Sequence, residues 1–108
     1  ERIALSNKKI NFKGSLLYST LEPCSHYGKT SPCTDIIKEQ KVKIVYFSKF
    51  DPDKRNFKKA KKKLNKYNIK TFENVHKYVA NRFYKDFDIR KNTNNIFNTT
   101  FIFICTDE

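Results

Sequence analysis

A chain of 108 residues is long enough for one hydrophobic core and too short for two complete domains. Its formal net charge of +12 invites a nucleic-acid reading, because Lys and Arg neutralise phosphates and release counterions. The excess is nearly all Lys, however, with Arg only at Arg2, Arg55, Arg82 and Arg90, while Asn, Ile, Phe and Tyr are abundant and Gly and Pro scarce. We read this as a compositional bias that gives a solvated basic surface, with no nucleic-acid partner.

No run of about 18 apolar residues exists, which excludes a membrane-spanning helix. The chain begins at Glu1, so the start of the gene product is expected upstream. Its three cysteines, Cys24, Cys33 and Cys105, are an odd set that argues against a disulfide framework and for a cytoplasmic setting.

In chain order, Arg2 to Asn7 reads as the tail of a helix, and Gly14 marks a turn. Leu16-Leu17-Tyr18, with Ser19 and Thr20 behind it, reads as a buried strand ended by Glu22-Pro23. Ser31-Pro32 looks like a helix start, Ser31 as N-cap and Pro32 in the first helical position, with Ile36 and Ile37 on the apolar face. Ile44 to Phe47 is a continuous β-former run, of the kind covered on both faces of a parallel sheet.

Phe57, Ala60, Leu64 and Tyr67 recur at helical steps with lysines between them, and Asn68 comes next as a left-handed C-terminal residue. Ile69 to Phe72 reads as a short strand. Val75, Val79, Phe83 and Phe87 mark another helix, with His76 on its surface. Arg90 to Asn95 reads as a polar linker, with the likeliest domain boundary at Lys91 to Asn95, and Thr99 to Cys105 as a last strand in which Cys105 is a small buried hydrophobe. Strands alternating with helices predict an α/β domain with a largely parallel sheet.

The segment that carries chemistry runs from Thr20 to Cys33. Cys24 comes just after a buried strand and Cys33 opens a helix, with eight residues between them. Backbone N–H groups and the helix dipole favour thiolate over thiol at such places. Thiolates bind zinc, and a catalytic zinc keeps one position open for water. A third protein ligand is then needed; His26 is one candidate, although it lies only two residues from Cys24.

Glu1-Arg2-Ile3-Ala4-Leu5 resembles the segment that starts at the glutamate of the His-Ala-Glu motif in zinc nucleobase deaminases. Pro23-Cys24-Ser25-His26-Tyr27-Gly28-Lys29-Thr30-Ser31-Pro32-Cys33-Thr34-Asp35 is similar to the riboflavin-biosynthesis deaminase, the N-terminal domain of a bifunctional deaminase-reductase. Cytidine and tRNA adenosine deaminases carry Pro-Cys-x-x-Cys instead. Asp51-Pro52 and Leu64 to Ile69 also fit, with Asn68 where glycine is usual.

The resemblance implies a cytidine-deaminase-like three-layer α/β/α fold with a mixed, largely parallel sheet. It implies Glu1 as the proton-moving catalytic carboxylate, Cys24 and Cys33 as zinc ligands, and His26 and Lys29 as substrate-binding residues. The zinc histidine would lie two positions upstream of Glu1. The implied reaction is hydrolytic deamination of a phosphorylated small molecule, a diaminopyrimidine phosphoribosyl compound, with Zn2+ as cofactor.

Residues 1–90 would be the C-terminal portion of the deaminase domain. Residues 91–108 would be linker and the first strand of a truncated or degenerate reductase, and NADPH would enter only if a reductase domain follows. Asn98 to Glu108 lacks the Ser-Leu-Asp-Gly type segment with which such a reductase opens. Two other readings stand beside this one: another zinc deaminase acting on a nucleoside or tRNA base, and a non-catalytic zinc-binding remnant. The sequence leaves homo-oligomerisation open.

Overall fold

The computed structural model describes residues 1–82, residue 85 and the backbone of residues 102–105. The strand expected at Leu16 forms as β1, Leu16–Leu21, and its side chains alternate. Leu17 and Ser19 are buried on one face, while Leu16, Tyr18 and Thr20 are half-buried on the other. Strand β2, Ile44–Lys49, runs parallel to β1 and sets Val45 beside Leu17 and Phe47 beside Ser19. Strand β3, Lys70–Phe72, adds parallel to β2, and β4, Ile102–Cys105, pairs antiparallel with β1. The order β3-β2-β1-β4 is largely parallel, as the alternation of strands and helices predicts, and mixed, as the resemblance implies.

Parallel neighbours need crossover connections. Helix α1, Arg2–Leu5, precedes β1; α2, Cys33–Glu39, links β1 to β2; α3, Lys59–Lys66, links β2 to β3. α2 packs against both α1 and α3, so the three form one layer. Leu5, Ile37 and Leu64 from this layer meet Leu17, Val45 and Phe47 from the sheet in a single cluster. Each of these six has no exposed surface, and burial of such a side chain stabilises the fold by about 1.5–3 kcal/mol.

Gly14 takes φ +77° in the turn before β1, a conformation open to glycine without steric cost. Asn68 takes φ 59° after α3, as its position predicts. Asp35 of α2 and Lys63 of α3 pair at 2.7 Å, and Lys38 of α2 lies 4.4 Å over the Tyr67 ring, so several lysines have local partners.

Four local expectations differ from what forms. The Ile44–Phe47 run was expected to be covered on both faces, but among the described residues only the Val45–Phe47 face is. On the other face Tyr18, Tyr46 and Phe72 share one rung of the sheet and stack at 4.6 and 5.2 Å. Helix α2 begins one residue later than predicted. Pro32, at ψ 144°, is its N-cap, and the Ser31 hydroxyl accepts a hydrogen bond from Arg2 instead of capping the helix.

Helix α3 begins at Lys59 because Lys58 sits at φ 60°. Phe57 therefore lies outside the helix, 45% exposed, and packs edge-on against Phe50. The Val75–Val79 stripe is rotated. Asn74 and His76 both have positive φ, the helical stretch starts at 77, and Ala80 is buried while Val79 is 65% exposed. His76 is exposed, as expected. Phe83, Phe87, the Arg90–Asn95 linker and the Cys105 side chain lie outside the described residues.

Candidate active site

Where β1 ends, Glu22 turns inward and is 3% exposed. Its Oε1 accepts the Ala60 N–H at 3.0 Å, and its Oε2 accepts those of Lys58 at 3.0 Å and Asp51 at 3.3 Å. Its own N–H donates to the Lys49 carbonyl at 2.8 Å. Burial lifts the Glu22 carboxyl above its ordinary value, against the pull of the three backbone donors. One carboxylate thus locks the end of β1 to the connection between β2 and α3.

Cys24 lies two residues further on. Its carbonyl accepts the Thr34 N–H at 3.1 Å, and its sulfur accepts the Cys33 N–H at 3.0 Å. The long loop therefore closes on itself, and the first turn of α2 carries Cys33 back to Cys24. Both thiols are free and half-buried. The Cys24 thiol falls to about 6, held down first by the hydrogen bond from the Cys33 thiol and then by the Cys33 backbone N–H, against the cost of burial. Cys33 moves up, first because it donates that hydrogen bond, then because it is buried and faces the Glu1 carboxylate.

Glu1 completes the cluster, since its carboxylate lies near enough to the Cys33 thiol to help hold it protonated. The Ser19 hydroxyl lies 3.0 Å from Glu1 Oε1 and 2.7 Å from the Leu21 carbonyl oxygen. Next to Glu1, Arg2 donates from Nη2 to the Ser31 carbonyl at 2.7 Å, to the Ser31 hydroxyl and to the Pro32 carbonyl at 3.4 Å. That clamp ties α1 to the residues that open α2, and so ties Glu1 to Cys33.

Of the residues singled out from the sequence, Glu1, Cys24 and Cys33 come together. His26 is half-buried in the connecting loop, with Nδ1 buried and without a hydrogen-bond partner, and Lys29 is exposed. Among the described residues no three or more His, Cys, Asp or Glu side chains are arranged to hold a metal ion. His26 is thus not drawn into a metal set with the two cysteines. Two adjacent thiols, one of them poised to ionise, fit two positions of a thiolate-bound zinc; a third donor is not assembled with them.

Sequence reasoning missed Arg2 and Ser19 as residues that hold the site. Ser19 left one signal, a hydroxyl in phase with buried Leu17 on β1. Arg2 left none, because its partners lie about thirty positions away. No helix among the described residues is long and apolar enough to cross a membrane.

The fold recurs in solved structures. A diaminohydroxyphosphoribosylaminopyrimidine deaminase/5-amino-6-(5-phosphoribosylamino)uracil reductase of Thermotoga maritima superposes with TM-score 0.72 at 31% identity, over 81% of this chain and 25% of that one. RibD of Acinetobacter baumannii superposes with TM-score 0.68 at 29% identity, over 76% and 23%. The chain is therefore a cytidine-deaminase-like α/β domain.

Its sequence has relatives of the same name. It is 37% identical over 75 residues to the riboflavin biosynthesis protein RibD of Chlamydia trachomatis, covering 69% of this chain and 20% of that protein. It is 37% identical over 87 residues to RibD of Aquifex aeolicus, covering 81% and 24%. Over 41 residues it is 54% identical to the diaminohydroxyphosphoribosylamino-pyrimidine deaminase of Buchnera aphidicola, covering 38% and 28%. The chain belongs to the riboflavin-biosynthesis deaminase family, and spans between a fifth and about 28% of the length of these relatives. No family model matches it.

Proposed function

We propose that this chain carries the catalytic cluster of a zinc-dependent pyrimidine deaminase that removes an exocyclic amine from a diaminopyrimidine phosphoribosyl compound. The observation that carries the reading is the meeting of Cys24 and Cys33, where the Cys33 N–H donates to the Cys24 sulfur at 3.0 Å, with the Glu1 carboxylate acting on both thiols. Cys24 and Cys33 would hold the metal as thiolates, with a histidine upstream of Glu1 as third protein ligand. Bound zinc supplies a water whose pKa is lowered toward 7.

Glu1 then acts as the proton carrier. Its carboxylate takes a proton from the attacking water and returns protons to the ring and the departing amine. One C–N bond breaks, one C–O bond forms, and ammonia leaves. Ser19 steadies Oε1 of that carboxylate. Lys29 would pair with the substrate phosphate, and His26, half-buried in the same loop, would contact the substrate. Free thiols that must stay reduced suit the cytoplasm, and the lysines form a solvated surface with no nucleic-acid role. NADPH would belong to a reductase domain, should one follow.

The test is ammonia release by the chain extended with His-Ala ahead of Glu1, assayed on the phosphoribosyl diaminopyrimidine and on cytidine. The phosphorylated substrate is expected to react faster. Lys29→Ala is expected to raise its KM by about ten- to a hundredfold, the loss of a charge-assisted contact of about 1.5–3 kcal/mol. Faster release from cytidine, or an unaffected Lys29→Ala, would leave a deaminase of another substrate class.

A further inference from the structure

We infer that Asn56 is a positioning residue that fixes the Cys24 sulfur for metal binding; the inference rests on the thiolate site proposed above. Asn56 is fully buried and lies in the connection between β2 and α3, which bears none of the residues assigned to the chemistry. Its side chain makes four hydrogen bonds. Nδ2 donates to the Pro23 carbonyl at 3.1 Å and to Asp51 Oδ2 at 3.2 Å. Oδ1 accepts from the Ser25 N–H at 2.7 Å and the Ser25 hydroxyl at 2.6 Å.

These bonds hold the residue before Cys24 by its carbonyl and the residue after it by its amide. A backbone held on both sides of one residue leaves that residue's Cα–Cβ direction little freedom. With the Cys24 carbonyl held by Thr34 and its sulfur by the Cys33 N–H, the thiolate is aimed before any metal arrives. The amide satisfies both neighbours at once because it has a donor end and an acceptor end.

Groups that orient a metal ligand without touching the metal typically change metal affinity by about 10- to 100-fold when removed. The experiment is Co2+ titration of the 108-residue chain, read by thiolate-to-cobalt charge-transfer absorption. It uses the wild type, Cys24→Ser, Asn56→Ala and Leu64→Ala, with circular dichroism and urea unfolding of each. Leu64 is a buried core residue of α3 and reports the effect of lost stability alone.

Asn56→Ala is expected to weaken Co2+ binding by about 10-fold or more and to alter the absorption envelope, while Leu64→Ala stays within about twofold of the wild type. Asn56→Asp sets a second carboxylate against Asp51 and should also bind weakly. Adding Asp51→Asn to it supplies a donor between positions 51 and 56 and should restore part of the affinity. Asn56→Ala within about twofold of the wild type, or no weaker than Leu64→Ala, overturns the inference while leaving the thiolate site intact. A wild type whose absorption is unchanged by Cys24→Ser overturns the thiolate site, and the inference with it.

Discussion

Glu22→Gln isolates what the buried carboxylate does at the end of β1. The substitution keeps shape and volume but replaces one oxygen with an NH2 group. With the amide oxygen in the place of Oε2, Lys58 and Asp51 keep their acceptor and the Ala60 N–H faces another donor. Turned the other way, two N–H groups lose their acceptor. The better orientation still leaves the N–H of a fully buried residue, Ala60, unsatisfied, at a cost of about 1–3 kcal/mol.

In urea the midpoint should fall by roughly 0.3–3 M with an unchanged slope, for slopes of about 1–3 kcal/mol/M. The pH dependence has a definite sign. Burial raises the folded carboxyl above 4.5, so the stability it contributes is complete below 4.5 and is lost as pH rises through the folded value. The variant has no such step. The advantage of the wild type should therefore narrow as pH climbs out of the acid range, leaving the donor mismatch at pH 7. A variant as stable as the wild type at pH 7 would refute the three-donor lock. A gap that widens with pH would show that the backbone donors outweigh burial.

Glu1→Gln, in the chain extended with His-Ala, should retain zinc as measured by metal content but lose most ammonia release, since the carboxylate moves protons and binds no metal. Loss of zinc with turnover would instead make Glu1 a ligand. Binding to DNA or RNA, followed by fluorescence anisotropy, should be weak and collapse with added salt if the lysines are a compositional feature. A tight, sequence-selective complex at physiological salt would point to a nucleic-acid substrate.

What was legible in the sequence was whatever local chemistry determines. Leu16 to Thr20 and Ile44 to Phe47 form strands because runs of β-formers bounded by breakers have few other options. Asn68 takes the left-handed backbone because a short polar side chain tolerates it. The cysteine spacing was legible because a strand end and a helix start are enough to bring Cys24 and Cys33 together. Helix starts were less so. Lys58, at positive φ, donates its N–H to Glu22, thirty-six positions away, and Ser31 gives up its capping role to Arg2 across a gap of twenty-nine. Such contacts join loops that only the finished sheet brings together. Asn56 was invisible for the same reason, as an ordinary polar residue in a lysine-rich stretch until its four partners are known.

The most direct measurement is X-ray absorption at the zinc edge on the chain extended with His-Ala ahead of Glu1, beside the same protein carrying Cys24→Ser and Cys33→Ser. If Cys24 and Cys33 hold the metal, the first shell contains two sulfurs at about 2.3 Å with nitrogen or oxygen near 2.0 Å, and the sulfurs vanish in the double variant. A shell without sulfur, or one that the double substitution leaves unchanged, would contradict the assignment of the site.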